Sequence, residues 1–261
     1  MKNSRDIVDN RRTKLLAIIE KTGDVRVPDI ASHLNVSEIT VRRDLQYLED
    51  QRIIERYYGG ARIRQSKPKK VMSDIMICRE NIAREAASFV SDGDTIFINT
   101  SSTAIEMLKY ITAKDVTVIT NNGNAVVAQK PYGVRVILTG GELYNVKGTL
   151  VGEFAKNNIM RVTAKNAFIG CAAFSLENGM MSCLLNEVDL NHAMVSRTTE
   201  DVFLLADHTK LGKNSSFTSC SLSEISYLIT DDRAPADFLE SIKKEGIEVT
   251  CVSSVQEDSA Q

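Results

Sequence analysis

Ile39, Arg42, Arg43 and Gln46 fall three and four residues apart, so on a helix they share one face. Their chemistry is that of base-edge contacts. A guanidinium can bridge O6 and N7 of guanine, an amide can pair with adenine, and an aliphatic group can touch the thymine methyl. Further on, Arg56, Arg62 and Arg64 flank Gly59 and Gly60, a place from which basic side chains can reach phosphates or the minor groove. A second set lies later in the chain. Asn99, Thr100, Ser101, Ser102 and Thr103 run into a helix-forming segment, where hydroxyls and backbone N–H groups can cradle a phosphate. Gly140 and Gly141 permit close backbone approach, Lys210 can hold a phosphate or sugar oxygen, and Asp207 can orient it or bind a hydroxyl. Each group also has a plainer reading, as a solvated charged face, a helix cap or a surface turn.

These residues need elements to position them. Arg11 to Lys21 places Leu15, Leu16, Ile18 and Ile19 in a helical repeat that Gly23 can close. Pro28 suits the first turn of a second helix, in which Ile30, Ala31 and Leu34 form the buried stripe. Ser37 is a good N-cap for a third, where Val41, Leu45 and Leu48 make the face opposite Ile39, Arg42, Arg43 and Gln46. Ile53, Ile54 and Tyr57 before the two glycines, with Ala61 and Ile63 after them, predict a β-hairpin. Three short helices followed by a hairpin predict a winged helix-turn-helix whose third helix enters the major groove.

Beyond a polar, Pro68-containing linker at 65–73, seven short apolar runs alternate with helix-length segments: 95–99, 116–120, 134–139, 167–170, 202–206, 227–230 and 249–252. Parallel neighbours need crossover connections, so this alternation predicts an α/β domain with a mostly parallel sheet. Ligands of such sheets sit beyond the carboxyl ends of the strands, which is where the second set of residues falls. The expected organisation is a small winged helix-turn-helix over 1–64, the linker, a larger α/β effector-sensing and oligomerisation domain over 74–254, and a polar tail over 255–261.

Composition narrows the classes. With 43% hydrophobic and 25% charged residues, the chain has the balance of an ordinary folded protein. No apolar stretch has the length of a membrane span and the N-terminus lacks a secretory h-region, so a cytoplasmic location is expected. Residues 1–70 hold 16 Lys and Arg against 10 Asp and Glu, whereas the remainder holds 16 against 24. A basic head on an acidic body fits a nucleic-acid partner. Cys78, Cys171, Cys183, Cys220 and Cys251 are scattered and never form a CxxC pair. His33, His192 and His208 lack companions at ligand spacing, so no metal site and no cofactor are expected.

The string Val36-Ser37-Glu38-Ile39-Thr40-Val41-Arg42-Arg43-Asp44-Leu45, then Leu48-Glu49 and Arg56-Tyr57-Tyr58-Gly59-Gly60-Ala61, resembles the DNA-binding head of DeoR-type transcription regulators. The departures are Val41 for the usual Ile and Tyr58 where His is frequent. The resemblance adds Ser37, Thr40 and Tyr58 to the DNA-facing set. The body is similar to that family's sensor domain, related to sugar-phosphate isomerases, through Asp92 to Ile98, the hydroxyl loop, Val118 to Asn121, Leu138 to Gly141, Ile169-Gly170, Asp207 to Gly212 and Leu228 to Asp231. It adds Asn121 to the effector set and implies a phosphorylated sugar or related metabolite as effector. It also implies self-association as a dimer or tetramer.

Two departures bear on the pocket. The family's loop is DSGTT, so Asn99 and Ser101 stand where a carboxylate and a glycine are usual, and Asn191 replaces a lysine often found in the later helix. Serine is less free than glycine to adopt positive φ, and an amide cannot act as a base. The expected function is a DNA-binding regulator, a repressor rather than an enzyme, of a carbohydrate-related operon. The alternatives are a sugar-phosphate isomerase using Glu187 or Asp189, and a constitutive DNA-binding protein whose pocket has decayed.

Overall fold

In the computed structural model the chain divides into one unit up to Lys69 and a second from Lys70 onward. Residues 4–50, 54–57, 59–63, 69–144 and 148–255 are described.

The first unit is three helices and a three-stranded antiparallel sheet: α1 (Ser4–Thr22), β1 (Asp24–Arg26), α2 (Val27–Leu34), α3 (Glu38–Asp50), β2 (Ile54–Tyr57) and β3 (Gly60–Ile63), with strand order β1-β3-β2. Its core is aliphatic. Leu15 and Ile19 of α1, Ile30 of α2, Val41, Leu45 and Leu48 of α3 and Ile54 of β2 are all buried together. Each large side chain so buried contributes about 1.5–3 kcal/mol, which fixes which face of α3 turns inward. α1 starts at Ser4, seven residues before the expected Arg11. Residues 4–10 contain no proline or glycine to stop the helix. The adjacent glycines of the wing answer different needs: Gly59 has φ +87°, while a Cβ on Gly60 would lie 2.3 Å from the Val25 carbonyl oxygen of the neighbouring strand.

The second unit opens with α4 (Lys69–Ser88). Residues 69–73, expected to be linker, are helical. Pro68 precedes the helix start, where proline is tolerated, and nothing from Lys69 onward breaks the helical repeat. A parallel sheet follows, built from β4 (Thr95–Ile98), β5 (Thr117–Thr120), β6 (Arg135–Leu138), β9 (Asn166–Gly170), β12 (Val202–Leu205), β14 (Tyr227–Asp231) and β15 (Glu248–Val252). Its order is β15-β14-β12-β9-β4-β5-β6, and every pairing is parallel. All seven expected strands belong to it. Between them lie α5 (Ser102–Glu106), β7 (Glu142–Tyr144), β8 (Thr149–Val151), α6 (Glu153–Met160), β10 (Ala173–Ser175), β11 (Gly179–Ser182), α7 (Leu185–Ser196), β13 (Phe217–Cys220) and α8 (Ala236–Lys244).

Alternation along the strands loads both faces. Ile96, Ile98, Phe168 and Phe203 pack with α4 and the α5 segment, while Phe97, Ile169 and Leu204 pack with α6, α7 and α8. The chain leaves β4 toward β5 and β6, then returns to β9 on the other side of β4. The carboxyl ends of β4 and β9 therefore diverge at a topological switch point, the usual place for a ligand crevice. The antiparallel sheet β10-β11-β13 and the hairpin β7-β8 were not expected. Their strands are three or four residues long and carry little apolar alternation, so the sequence gives them a weak signature.

Candidate functional site

Two constellations of polar side chains are candidates, one in each unit. In the first, Ser37 Oγ accepts from Thr40 N at 3.3 Å and lies 2.9 Å from Thr40 Oγ1, so both residues fix the start of α3. Ile39 is 64% exposed on the outward face, and Arg42, Arg43 and Gln46 are exposed beside it. Most of the basic groups rest on neighbouring carboxylates. Arg42 pairs with Glu38 at 3.0 Å, Arg62 with Glu55 at 3.0 Å, and Arg56 with Glu49 at 3.7 Å while also donating to Gln46 Oε1. Arg43 makes no ion pair among the described residues. Tyr58 and Arg64 lie outside the described residues.

Asp44, inside the same motif, does something else. It is buried, accepts from Arg11 Nε at 2.6 Å and from Arg12 Nε at 3.1 Å, and so pins α1 to α3. The hydrogen bond to Asp44 holds the Arg11 guanidinium pKa above its ordinary value. Arg12 also lies over the Tyr47 ring, 3.7 Å from its centroid. A charged residue amid charged neighbours reads as exposed, and only the position of Asp44 beside Leu45 on the inward side signals its burial.

In the second unit a cavity of about 650 Å³ opens at the switch point. Seven of the expected effector residues line it: Asn99, Thr100, Ser101, Ser102, Thr103, Asp207 and Lys210. Asn121, Gly140 and Gly141 do not. Asn121 is buried and donates to the Leu150 carbonyl, and Gly141 packs so closely under Val151 that a Cβ would lie 2.5 Å from its oxygen. Gly140 and Gly141 lie in the turn between β6 and the hairpin, and Asn121 ties the end of β5 to β8, so none of the three is in the cavity wall.

Asn99 Nδ2 donates to the Gly170 carbonyl at 2.9 Å and to Asn191 Oδ1 at 3.0 Å, and its Oδ1 accepts from Ser101 N and Gly170 N at 3.1 and 3.0 Å. Both donors and both acceptor sites of the amide are thus occupied. Ser101 has φ −61°, so the glycine usual in the family loop is not required for its backbone here. Its Oγ caps Thr103 N and Ala104 N at 3.2 and 3.3 Å, which makes this hydroxyl a helix cap rather than part of an open phosphate cradle. The side chain has room only because position 170 is glycine: a Cβ there would lie 2.0 Å from Ser101 Oγ.

Arg79, not singled out from the sequence, pairs with Asp207 at 2.9 Å. Burial alone would raise the Asp207 pKa, but hydrogen bonds from Thr209 and Arg79 and the charges of Arg79 and Lys210 hold it below the ordinary value. Glu187 accepts from Ser182 Oγ at 2.7 Å and from Thr100 Oγ1 at 3.3 Å. Lys210 lines the cavity and forms no ion pair among the described residues. Arg79 and Ser182 reach the wall from α4 and β11, elements far apart in sequence, so no local pattern betrays them; Glu187 of α7, which the sequence offered only as a base for an isomerase, lines it as well.

His208 also departs from expectation. Cys78 and Asp231 lie beside it, brought there by α4 and the end of β14 from 130 and 23 positions away, so sequence spacing could not reveal them.

The family model described as a DeoR-like helix-turn-helix domain matches residues 11–67, and that described as the DeoR C terminal sensor domain matches residues 78–232. The HTH-type transcriptional regulator GolR of Listeria innocua is 31% identical over 246 residues, covering 92% of this chain and 96% of that protein. The uncharacterized HTH-type transcriptional regulator YulB of Bacillus subtilis is 29% identical over 94% of this chain and 97% of its own length. The lactose phosphotransferase system repressor of Staphylococcus aureus is 30% identical over 85% of this chain and 91% of that protein. A ribose 5-phosphate isomerase from Plasmodium falciparum is similar in structure with a TM-score of 0.38, at 16% identity over 53% of each chain. A winged head and a sensor body, each matched in its place and joined in relatives spanning nearly the whole sequence, make this chain a member of the DeoR family of transcription regulators.

Proposed function

We propose that the protein represses a carbohydrate-related operon, holding its operator through α3 and the wing and changing its grip when a phosphorylated sugar or related metabolite fills the cavity. The two-sided α3 carries this reading, with an aliphatic face buried and Ile39, Arg42, Arg43 and Gln46 turned outward. Surface ion pairs such as Arg42–Glu38 are worth only about 0–1 kcal/mol, so DNA phosphates displace those carboxylates at little cost. The names of relatives, among them a lactose phosphotransferase system repressor and a putative aga operon transcriptional repressor, support the carbohydrate context.

The cavity volume falls within the usual range for small-molecule sites, and Lys210 supplies a cation for a phosphate. The chain acts in the cytoplasm, where its DNA is, and no helix among the described residues is long and apolar enough to cross a membrane. Paired half-sites call for a symmetric dimer or tetramer, and exposed Ile137 and Leu138 on the edge strand β6 offer apolar surface for self-association.

A second reading is favoured by the spent hydrogen-bonding capacity of Asn99 and Ser101: a regulator that binds DNA constitutively, with the body serving only to associate. A mobility-shift assay with DNA upstream of the protein's own gene tests what both share. Specific, salt-sensitive binding is expected, since released counterions drive it. Equal affinity for unrelated DNA sinks both. Thermal-shift screening against sugar phosphates separates them, because only a ligand-binding body gains stability by mass action.

A further inference from the structure

Behind the cavity wall lies a second cluster of polar side chains. Cys78 of α4, His208 in the short 3-10 turn after β12 and Asp231 at the end of β14 present one sulfur, one ring nitrogen and one carboxylate oxygen, all within 4.8 Å of one another. Cys78 and Asp231 are fully buried, while the His208 side chain is 23% exposed and forms the solvent side. Asp231 orients the histidine twice: Oδ1 lies 2.8 Å from His208 Nδ1, and Oδ2 accepts from His208 N at 2.8 Å. Asp231 Oδ1 also accepts from Arg233 N at 3.1 Å. The Cys78 thiol, by contrast, has no hydrogen-bond partner among the described residues. The nearby charges are Asp207, Asp231 and Asp232 against Arg233, so carboxylates outnumber cations around the sulfur.

A thiol, an imidazole and a carboxylate are the donor mixture of zinc and its neighbours, whereas magnesium and calcium take oxygen alone. We propose that Cys78, His208 and Asp231 form a three-ligand site for a divalent ion of the zinc type, with water in the fourth position. On binding, the S–H bond of Cys78 breaks, its electron pair goes to the metal and the proton to solvent; no group is oxidised or reduced. Burial, aided by the neighbouring Asp231, holds the free thiol's pKa near 11, so it is the ion that draws the proton off. The residues adjoining two of the ligands, Arg79 and Asp207, make the ion pair that lines the cavity. The ion would thus brace α4 against the strand ends on which the effector site is built.

The test uses the full-length chain stripped of metal. Zinc is titrated in competition with a chromophoric chelator, and cobalt is then added in its place as a spectroscopic probe. One ion per chain is expected, with a cobalt–thiolate charge-transfer band that Cys78→Ser abolishes, and a loss of zinc affinity of at least about tenfold in both Cys78→Ser and His208→Gln. The second variant leaves the buried sulfur in place, so the question survives if Cys78→Ser fails to fold. No zinc held against the chelator overturns the proposal, as does binding unchanged in His208→Gln, which would put the ion on exposed Cys183 or Cys251. Neither result touches the reading of the protein as a DNA-binding regulator, which is measured without metal.

Discussion

A carboxylate at position 99 would face the Gly170 carbonyl and Asn191 Oδ1 with no proton to offer either. Asn99 and Asn191 therefore belong together, an amide pair where the family's pattern has a carboxylate and a lysine. Asn99→Asp alone is expected to destabilise the body by roughly 2–3 kcal/mol, the cost of buried acceptors left unpaired. The double change Asn99→Asp with Asn191→Lys should recover much of it, because the pair is coupled, and denaturant melts of the four proteins measure that coupling. Additive losses would mean that the two residues do not act as a pair. On the head, Arg43→Ala should cost about 1–3 kcal/mol of discrimination between operator and altered sites, read by competition binding. A uniform weakening across all sequences would make Arg43 a phosphate contact. Residue types were legible here and partners were not. The hydroxyl loop and Lys210 stand out in the sequence, whereas Asn99 meets Asn191 across 92 positions and Arg79 meets Asp207 across 128.

Elements were easier to read where one face is buried. The stripe of Val41, Leu45 and Leu48 gives α3, and strong apolar runs give all seven strands of the parallel sheet. The short strands of the sheet β10-β11-β13 lack that contrast, and Ser182, which anchors Glu187 at the cavity, lies on one of them. The buried brace Arg11–Asp44–Arg12 is the other element-scale feature hidden by composition. Removing one partner of a buried ion pair leaves an uncompensated charge, so Asp44→Ala is expected to cost the head about 3 kcal/mol. Thermal unfolding should show the loss while the body's melting holds. An unchanged head would mean that the arginines are satisfied by solvent instead.

On the scale of the whole chain, two regularities have physical consequences: the sequence carries an excess of positive charge in residues 1–70, and the structure orders the seven strands so that a crevice opens between β4 and β9. The first suits a polyanion, the second a small ligand. A regulator joins them only if ligand binding biases DNA binding, which requires different ligand affinity in the two functional states. The direct measurement is fluorescence anisotropy of a labelled operator fragment titrated with the full-length protein, with and without each of a panel of sugar phosphates. At least one phosphorylated sugar should shift operator affinity by about fivefold or more, the usual span of allosteric coupling, and Lys210→Ala should blunt the shift while leaving ligand-free DNA binding intact. Operator affinity indifferent to every sugar phosphate would contradict the account, and would leave a DNA-binding protein whose body does not sense them.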